Sequence, residues 1–226
     1  MIPLTPDLIL NAYACGIFPM AESHTNKEVF WVDPEVRGII DLDHLHISRS
    51  LTRVIKSNRF KISVNRDFRS VIKGCSELGP SRHDSWINES IFNVFCELQE
   101  LGYAHSIEIW LNKKLVGGLY GVSIGAAFFG ESMFSKESNA SKIALVHLVD
   151  RLRHGNFILL DTQFVTPHLA SLGAKEIPRG IYLDKLKIAV GREANFCNPD
   201  HSPVCGAKPE SICFSSSSMQ RSTQTS

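Results

Sequence analysis

Apolar positions recur along the chain in two rhythms, one helical and one alternating. In LTPDLILNAYACG, Leu8, Leu10 and Ala12 fall on apolar spacings behind Thr5 or Asp7 as a cap, and Gly16 supplies a stop. An extended stretch, VFWVDPEVRGIID, follows and bends at Pro34. HISRSLTRVIKSNRF reads as a helix with Arg49, Arg53 and Lys56 on one face and Leu51, Val54 and Ile55 on the other. RFKISVNRDF then alternates as a strand, Phe60, Ile62 and Val64 inward, and DFRSVIKGC reads as a short helix ending at Gly74. Beyond the turn-forming ELGPSRHD, Asn88 caps a helix over ESIFNVFCELQELG whose stripe is Ile91, Phe95 and Leu98 and whose stop is Gly102.

From there the rhythm is that of strands. HSIEIW, LVGGLYGVSIG and AAFFGESMFS predict an antiparallel meander, joined at Asn112-Lys113 and at Gly125. A helix over ASKIALVHLVDRLRHG leads to the strand FILLDTQ, and a further helix runs through HLASLGA. Strand, crossover helix, strand places the strand through Glu131 parallel to the one ending at Gln163. The expected class is therefore α/β (α+β): a smaller, basic N-terminal α/β domain over residues 1–73, a linker over 74–87, and a mixed sheet over 88–191. The chain from 192 to 226, rich in Pro, Ser and Cys, is expected to be a poorly ordered tail. Meander, helix and parallel strand together make the second domain similar to the acetyltransferase (GNAT-type) fold.

Composition narrows the function. With 43% hydrophobic and 21% charged residues among 226, the chain is that of an ordinary globular protein, without an apolar run long enough to span a bilayer. The N-terminus has neither a basic region nor a long apolar one, so no signal peptide is expected, and the six scattered cysteines fit a reducing cytosol. Cys197, His201, Cys205 and Cys213 match no standard zinc spacing, so no metal is expected. A net charge of +1 argues against indiscriminate nucleic-acid binding, yet it hides a local excess. Between His46 and Lys73 stand Arg49, Arg53, Lys56, Arg59, Lys61, Arg66, Arg69 and Lys73, with Asp67 as the only acid. That asymmetry suits a phosphate backbone, although most charge runs are simply solvated faces.

Candidate chemistry lies in polar groups placed against apolar strands. Glu131 interrupts FFGESMFS, and Asp161 and Gln163 end FILLDTQ on one face of their strand. An ionised carboxylate among aromatics needs a partner, either backbone N–H groups or a cation arriving with a substrate. Asp161 has a plain alternative as a cap of the next helix. An acyl-CoA enzyme of this fold would carry a Gly-rich turn ahead of the crossover helix to hold pyrophosphate. Here the turn reads SKESNASK, which points to another acyl donor and speaks against an N-acetyltransferase.

The segments NAYACGIFPM, FWVDPEVRG, LHISRS, HSIEIW, LVGGLYGV, FFGESMFS, NASKIAL, LLDTQ and HLASLGAKEIPR, in order over most of the chain, resemble the signature segments of bacterial leucyl/phenylalanyl-tRNA–protein transferases. The resemblance implies a cytoplasmic aminoacyltransferase that needs no cofactor or metal and uses Leu-tRNA and Phe-tRNA as donors. It moves Leu, Phe or Met onto the α-amino group of acceptor proteins beginning with Lys or Arg, which marks them for degradation. By position in the motifs, Asp161, Gln163 and Glu131 are the implied catalytic residues. Gln163 would hold the attacking amine, Asp161 would orient it, and Glu131 would meet the donor's α-ammonium or the acceptor's cationic residue. Leu119, Phe128, Gly130, Ser132, Leu145 and Leu148 would line the donor side-chain pocket, with Trp31 and Trp86 near the terminal adenosine; plain core is the alternative for each. Arg37, Arg49, Arg53, Lys56 and Arg59 are the implied tRNA contacts. A monomer without membrane attachment is expected. No His or Lys stands in the catalytic motifs to return a proton to the leaving oxygen. The remaining alternative is a tRNA-binding module with an inert acyltransferase-like half.

Overall fold

The computed structural model describes residues 3–77 and 85–197. Thr5 caps the first helix, α1 (Pro6–Ala14), by accepting the Leu8 N–H at 3.3 Å. Ile9 and Tyr13, at i and i+4, form its buried face in place of the expected Leu8, Leu10 and Ala12, which are only part-buried. The Tyr13 ring packs edge-on against Phe129 at 4.9 Å, and its hydroxyl finds a buried acceptor, described below. Gly16 takes φ +83° and turns the chain into β1 (Phe18–Met20), which pairs with β2 (Phe30–Val32) as a separate two-stranded ribbon.

β3 (Val36–Ile40) is followed by the Ser48-capped α2 (Arg49–Lys56), β4 (Lys61–Val64), α3 (Phe68–Ser76) and the Asn88-capped α4 (Glu89–Glu100). Gly74 does not end α3 as expected. It lies inside the helix, where a Cβ would come within 2.9 Å of the Phe134 ring, so close packing accounts for it better than a stop. β5 (Ala104–Leu111), β6 (Lys114–Ile124) and β7 (Ala127–Ser135) form the meander. Asn112 and Lys113, both at positive φ, make the two-residue turn between the first pair, and Gly125 at φ +54° turns the second. α5 (Ala140–His154) crosses over to β8 (Leu159–Gln163), and α6 (Pro167–Ala170), β9 (Ala174–Pro178) and α7 (Arg179–Val190) complete the fold.

One mixed seven-stranded sheet, ordered β4-β5-β6-β7-β8-β3-β9, carries all of this. β4 pairs with β5, and β3 is inserted antiparallel between β8 and β9. Strands from both sides of residue 73 thus share a single sheet, and both apolar clusters draw on residues from either side of it. A division of the chain there is not a division of the core. One cluster gathers Ile9, Tyr13, Phe95, Tyr120, Phe129 and Leu186; the other gathers Leu51, Ile107, Leu119, Phe128, Leu145 and Leu152. Neighbouring residues of β7, Phe128 and Phe129, serve opposite faces, as a period of two requires.

The tail begins differently from expectation. Phe196 is buried, stacks on His105 at 4.1 Å and on Phe128 at 5.4 Å, and its carbonyl accepts from Arg151 Nη1 at 2.9 Å. Residues 192–197 are therefore attached to the core, whereas the rest of the expected tail, with His201, Cys205 and Cys213, lies outside the described residues. Among the described residues no helix is long and apolar enough to cross a membrane.

Candidate active site

β7 and β8 run parallel, and their pairing is short. Ala127, Phe128 and Phe129 face Leu159, Leu160 and Asp161; beyond that register β7 continues to Ser135 without β8 beside it. The strands part at the point where β8 reaches Gln163, whose backbone leaves the extended region at φ +61°. Non-glycine residues rarely adopt that conformation, and Gln163 is held in it by its N–H donating to Asp161 Oδ1 at 2.7 Å.

Asp161 is fully buried and charge-compensated. Arg37, on the neighbouring β3 and 1% exposed, donates through Nη2 to Oδ2 at 2.7 Å and through Nε to Oδ1 at 3.0 Å. Its remaining nitrogen, Nη1, donates to the Gly16 carbonyl at 2.9 Å. The guanidinium lies between the Phe18 and Tyr182 rings, and Tyr182 donates its hydroxyl to Asp161 Oδ2 at 2.7 Å. Burial works against the Arg37 charge, but the Asp161 carboxylate outweighs it and holds the guanidinium protonated. The expectation of a tRNA contact at Arg37 is thereby corrected: a cation 1% exposed and paired with Asp161 lies out of reach of a phosphate at the surface.

Glu131 closes the gap from β7. Its Oε1 accepts the Tyr13 hydroxyl at 2.7 Å and Gln163 Nε2 at 3.0 Å, while Oε2 is buried without a hydrogen-bond partner among the described residues. Burial raises its pKa to about 8 against the pull of those two donors. Burial thus favours the neutral carboxyl, and with both donors on Oε1 the open oxygen is Oε2. Burial and the neighbouring Glu131 push the Tyr13 hydroxyl well up, so it stays a donor. With its amide nitrogen spent on Glu131, the Gln163 side-chain carbonyl is left as the acceptor.

A cavity of about 430 Å³ opens beside this pair. Leu119, Gly130, Ser132, Leu145 and Leu148 line it together with Trp86, which was expected near the terminal adenosine, and Glu131 and Gln163 stand in its wall. Phe128 and Trp31 do not line it. Phe128 is fully buried core, stacked on Phe196, and Trp31 is 39% exposed on β2. Met20, Met133, Thr162, Phe164 and His168 line the cavity without having been singled out. Arg49, Arg53, Lys56 and Arg59 all lie on the exposed surface of α2 and the turn after it, Arg59 paired with Glu137 at 2.9 Å.

Three partners of the site escaped the sequence reading: Tyr13, Tyr182 and Arg37 in its actual role. Arg37 carried a usable signal, since a cation inside VRGII is as anomalous as Glu131 inside FFGESM, and the two kinds of anomaly commonly compensate one another. In the first turn of α5 two backbone amides are occupied internally: Ala140 N–H donates to the Glu137 carbonyl at 3.1 Å, and Ser141 N–H to Ser135 Oγ at 3.3 Å.

Residues 39–187 match the family described as leucyl/phenylalanyl-tRNA protein transferase, and residues 3–35 match the N-terminal domain of the same family. The chain belongs to the leucyl/phenylalanyl-tRNA–protein transferase family. A relative from Zymomonas mobilis with that name is 59% identical over 83% of this chain and 70% of its own length. Relatives of the same name from Paramagnetospirillum magneticum, 55% identical over 87% and 94% of the two chains, and Cereibacter sphaeroides, 52% identical over 99% and 98%, extend the match. The solved L-PGS structure from Bacillus licheniformis aligns over 70% of this chain and 66% of that one at 12% identity, with a TM-score of 0.44. As a leucyl/phenylalanyl-tRNA–protein transferase, the chain is an aminoacyltransferase that takes its acyl group from tRNA and passes it to protein.

Proposed function

We propose that this transferase joins Leu, Phe or Met to the α-amino group of proteins beginning with Lys or Arg, as a cytoplasmic monomer on a GNAT-like scaffold, and so marks them for degradation. The observation that carries the reading is the meeting of Glu131 and Gln163, at 3.0 Å, where β7 and β8 part beside an apolar cavity. The donor's side chain occupies that cavity among Leu119, Leu145 and Leu148. Each methylene there is worth about 1–3 kcal/mol, which suits tolerance of Leu, Phe and Met over smaller side chains.

Aminolysis of an ester is downhill, so the protein's task is placement and removal of a proton. The acceptor's amine donates to the Gln163 side-chain carbonyl, which is aimed because the amide nitrogen is anchored on Glu131. Asp161 works through Gln163: buried behind it, it fixes the backbone N–H and never reaches the substrate. That is a positioning role, held in turn by Arg37 and Tyr182. Glu131 meets the donor's α-amino group through Oε2, ionising when a cation arrives and remaining neutral otherwise. Trp86 stacks on the terminal adenine, an interaction worth about 1–3 kcal/mol and indifferent to sequence. Arg49, Arg53, Lys56 and Arg59 hold the acceptor-stem phosphates, with Trp31 at the rim.

Transfer of labelled leucine from charged tRNA to one protein made with N-terminal Arg, Lys or Gly tests the reading. Label on the Arg and Lys forms alone is the expected result. Equal labelling of the Gly form, or label on none, overturns it.

A further inference from the structure

The cavity wall contains more unused hydrogen-bonding capacity than the roles above consume. Glu131 Oε2, Thr162 Oγ1 and His168 Nε2 are each buried without a hydrogen-bond partner among the described residues, and all three residues line the same cavity. A buried polar atom left unpaired costs about 1–3 kcal/mol, so three around one space describe a ligand's polar outline. The Glu131 oxygen is assigned to the donor's α-amino group. Thr162 and His168 remain, and both belong to the segment that adjoins Gln163: Thr162 precedes it on β8, and His168 lies on α6 after it.

That segment supplies four polar side chains of the wall, Thr162, Gln163, Thr166 and His168, beside Tyr120, Glu131 and Ser132 from the neighbouring strands, while Leu119, Leu145, Leu148, Leu160 and Met133 make its apolar part. An aminoacyl nucleoside has the same division. Its side chain is apolar, and its ester end has a carbonyl oxygen and, beside the ester, a free ribose hydroxyl. Burial first, and then the nearby Lys142, lower the His168 pKa from its ordinary value, so the imidazole is neutral at pH 7. A neutral imidazole nitrogen and a threonine hydroxyl form hydrogen bonds to either oxygen without adding charge.

We propose that His168, with Thr162, binds the ester end of the aminoacyl donor, His168 Nε2 forming a hydrogen bond to the ester carbonyl or to the vicinal ribose hydroxyl. The proposal rests on the aminoacyl-transfer reading of the cavity. It adds a donor-binding residue to the β7–β8 pair and supplies a histidine beside a reaction for which the catalytic motifs contain none. No proton is transferred by His168 in this role. It holds the ester in the orientation in which the amine on Gln163 meets the carbonyl carbon.

The test uses the full chain with leucyl-tRNA carrying either a ribose or a 2′-deoxyribose terminal adenosine, in His168→Ala, His168→Gln and Thr162→Val. His168→Ala is expected to lose about 10–100-fold in kcat/KM with the ribose donor, the range that loss of a buried hydrogen bond allows. His168→Gln, which keeps an N–H on a side chain of similar reach, is expected to recover much of that loss, and Thr162→Val to lose several-fold. If the hydroxyl is the partner, deoxy substitution and His168→Ala are not additive; if the carbonyl is, they add and the loss appears in kcat. Wild-type kinetics in His168→Ala, or a loss in His168→Gln equal to that in His168→Ala with melting temperature unchanged, overturns the proposal. Failure of the wild type to transfer leucine at all would instead remove the function on which it rests.

Discussion

Removal of the Asp161 carboxylate should destabilise the whole protein, not only its chemistry. Asp161→Ala leaves Arg37 1% exposed, 2.7 Å from where its countercharge stood, with the Tyr182 hydroxyl stranded beside it. Breaking a buried ion pair from one side costs about 3–5 kcal/mol, because the surviving charge stays desolvated. Against a total stability of about 5–15 kcal/mol for a typical native protein, that is a large share. Urea unfolding followed by tryptophan fluorescence and by circular dichroism measures it. Pairing Asp161→Asn with Arg37→Met removes the stranded cation while leaving an oxygen for the Gln163 N–H, and should restore at least about 2 kcal/mol relative to Asp161→Asn alone. Transfer activity should not return with it. An Asp161→Ala variant within about 1 kcal/mol of wild type, or a double variant no more stable than the single, would refute the buried-pair reasoning.

Other consequences follow from the same geometry. Tyr13→Phe removes a donor to Glu131 Oε1 at 2.7 Å and should cost roughly 1 kcal/mol of stability and up to about ten-fold in transfer rate, measured by unfolding and single-turnover assay. Glu131, with its pKa raised from 4.5 to about 8, contributes stability that is complete below pH 4.5 and is lost as pH rises through about 8. Glu131→Gln should therefore gain stability relative to wild type between pH 6 and pH 9, read as a melting-temperature difference that widens with pH. Replacing Arg49, Arg53 and Lys56 by Ala should weaken charged-tRNA binding and shallow its salt dependence by about 0.7–0.9 per lost phosphate contact. Transfer from a minimal leucyl-adenosine donor, which lacks the acceptor stem, should be unchanged in that variant.

Much of this fold was legible in the chain because local signals agreed with the final packing. The Asn112-Lys113 turn, the Asn88 cap, the meander and the parallel return to β8 all appear where the periodicities put them. What was not legible was decided by long-range pairing. β3 and β4 carry no mark of which strands they will join, and with β4 at the edge beside β5 and β3 between β8 and β9 one sheet is made from what read as two domains. Phe196 lies in a stretch whose composition suggests disorder, and only the aromatic surface of His105, Phe128 and Phe157 explains its burial.

The candidate site divides in the same way. Glu131, Asp161 and Gln163 stood out because polar groups at the ends of apolar strands require compensation. Their compensators were hidden. Tyr13 and Tyr182 look like ordinary helix-face aromatics, and Arg37 looks like one more cation in a basic half. Each is identified only by the hydroxyl or guanidinium geometry around a carboxylate, over a hundred residues away for Tyr13 and Arg37 and 21 residues away for Tyr182. His168 was passed over because α6 is short and its place in the cavity wall depends on how the chain turns after Gln163.

The central claim is that Gln163, aimed by Glu131 and Asp161, holds the attacking amine. It is tested most directly by single-turnover transfer of leucine from leucyl-tRNA to an Arg-starting protein by wild type and Gln163→Ala, with unfolding free energies measured in parallel. The account predicts a loss of about 100-fold or more in the transfer step with donor binding retained, the scale on which misplacement of a reactant is felt. A Gln163→Ala enzyme that is folded and transfers at the wild-type rate would contradict it.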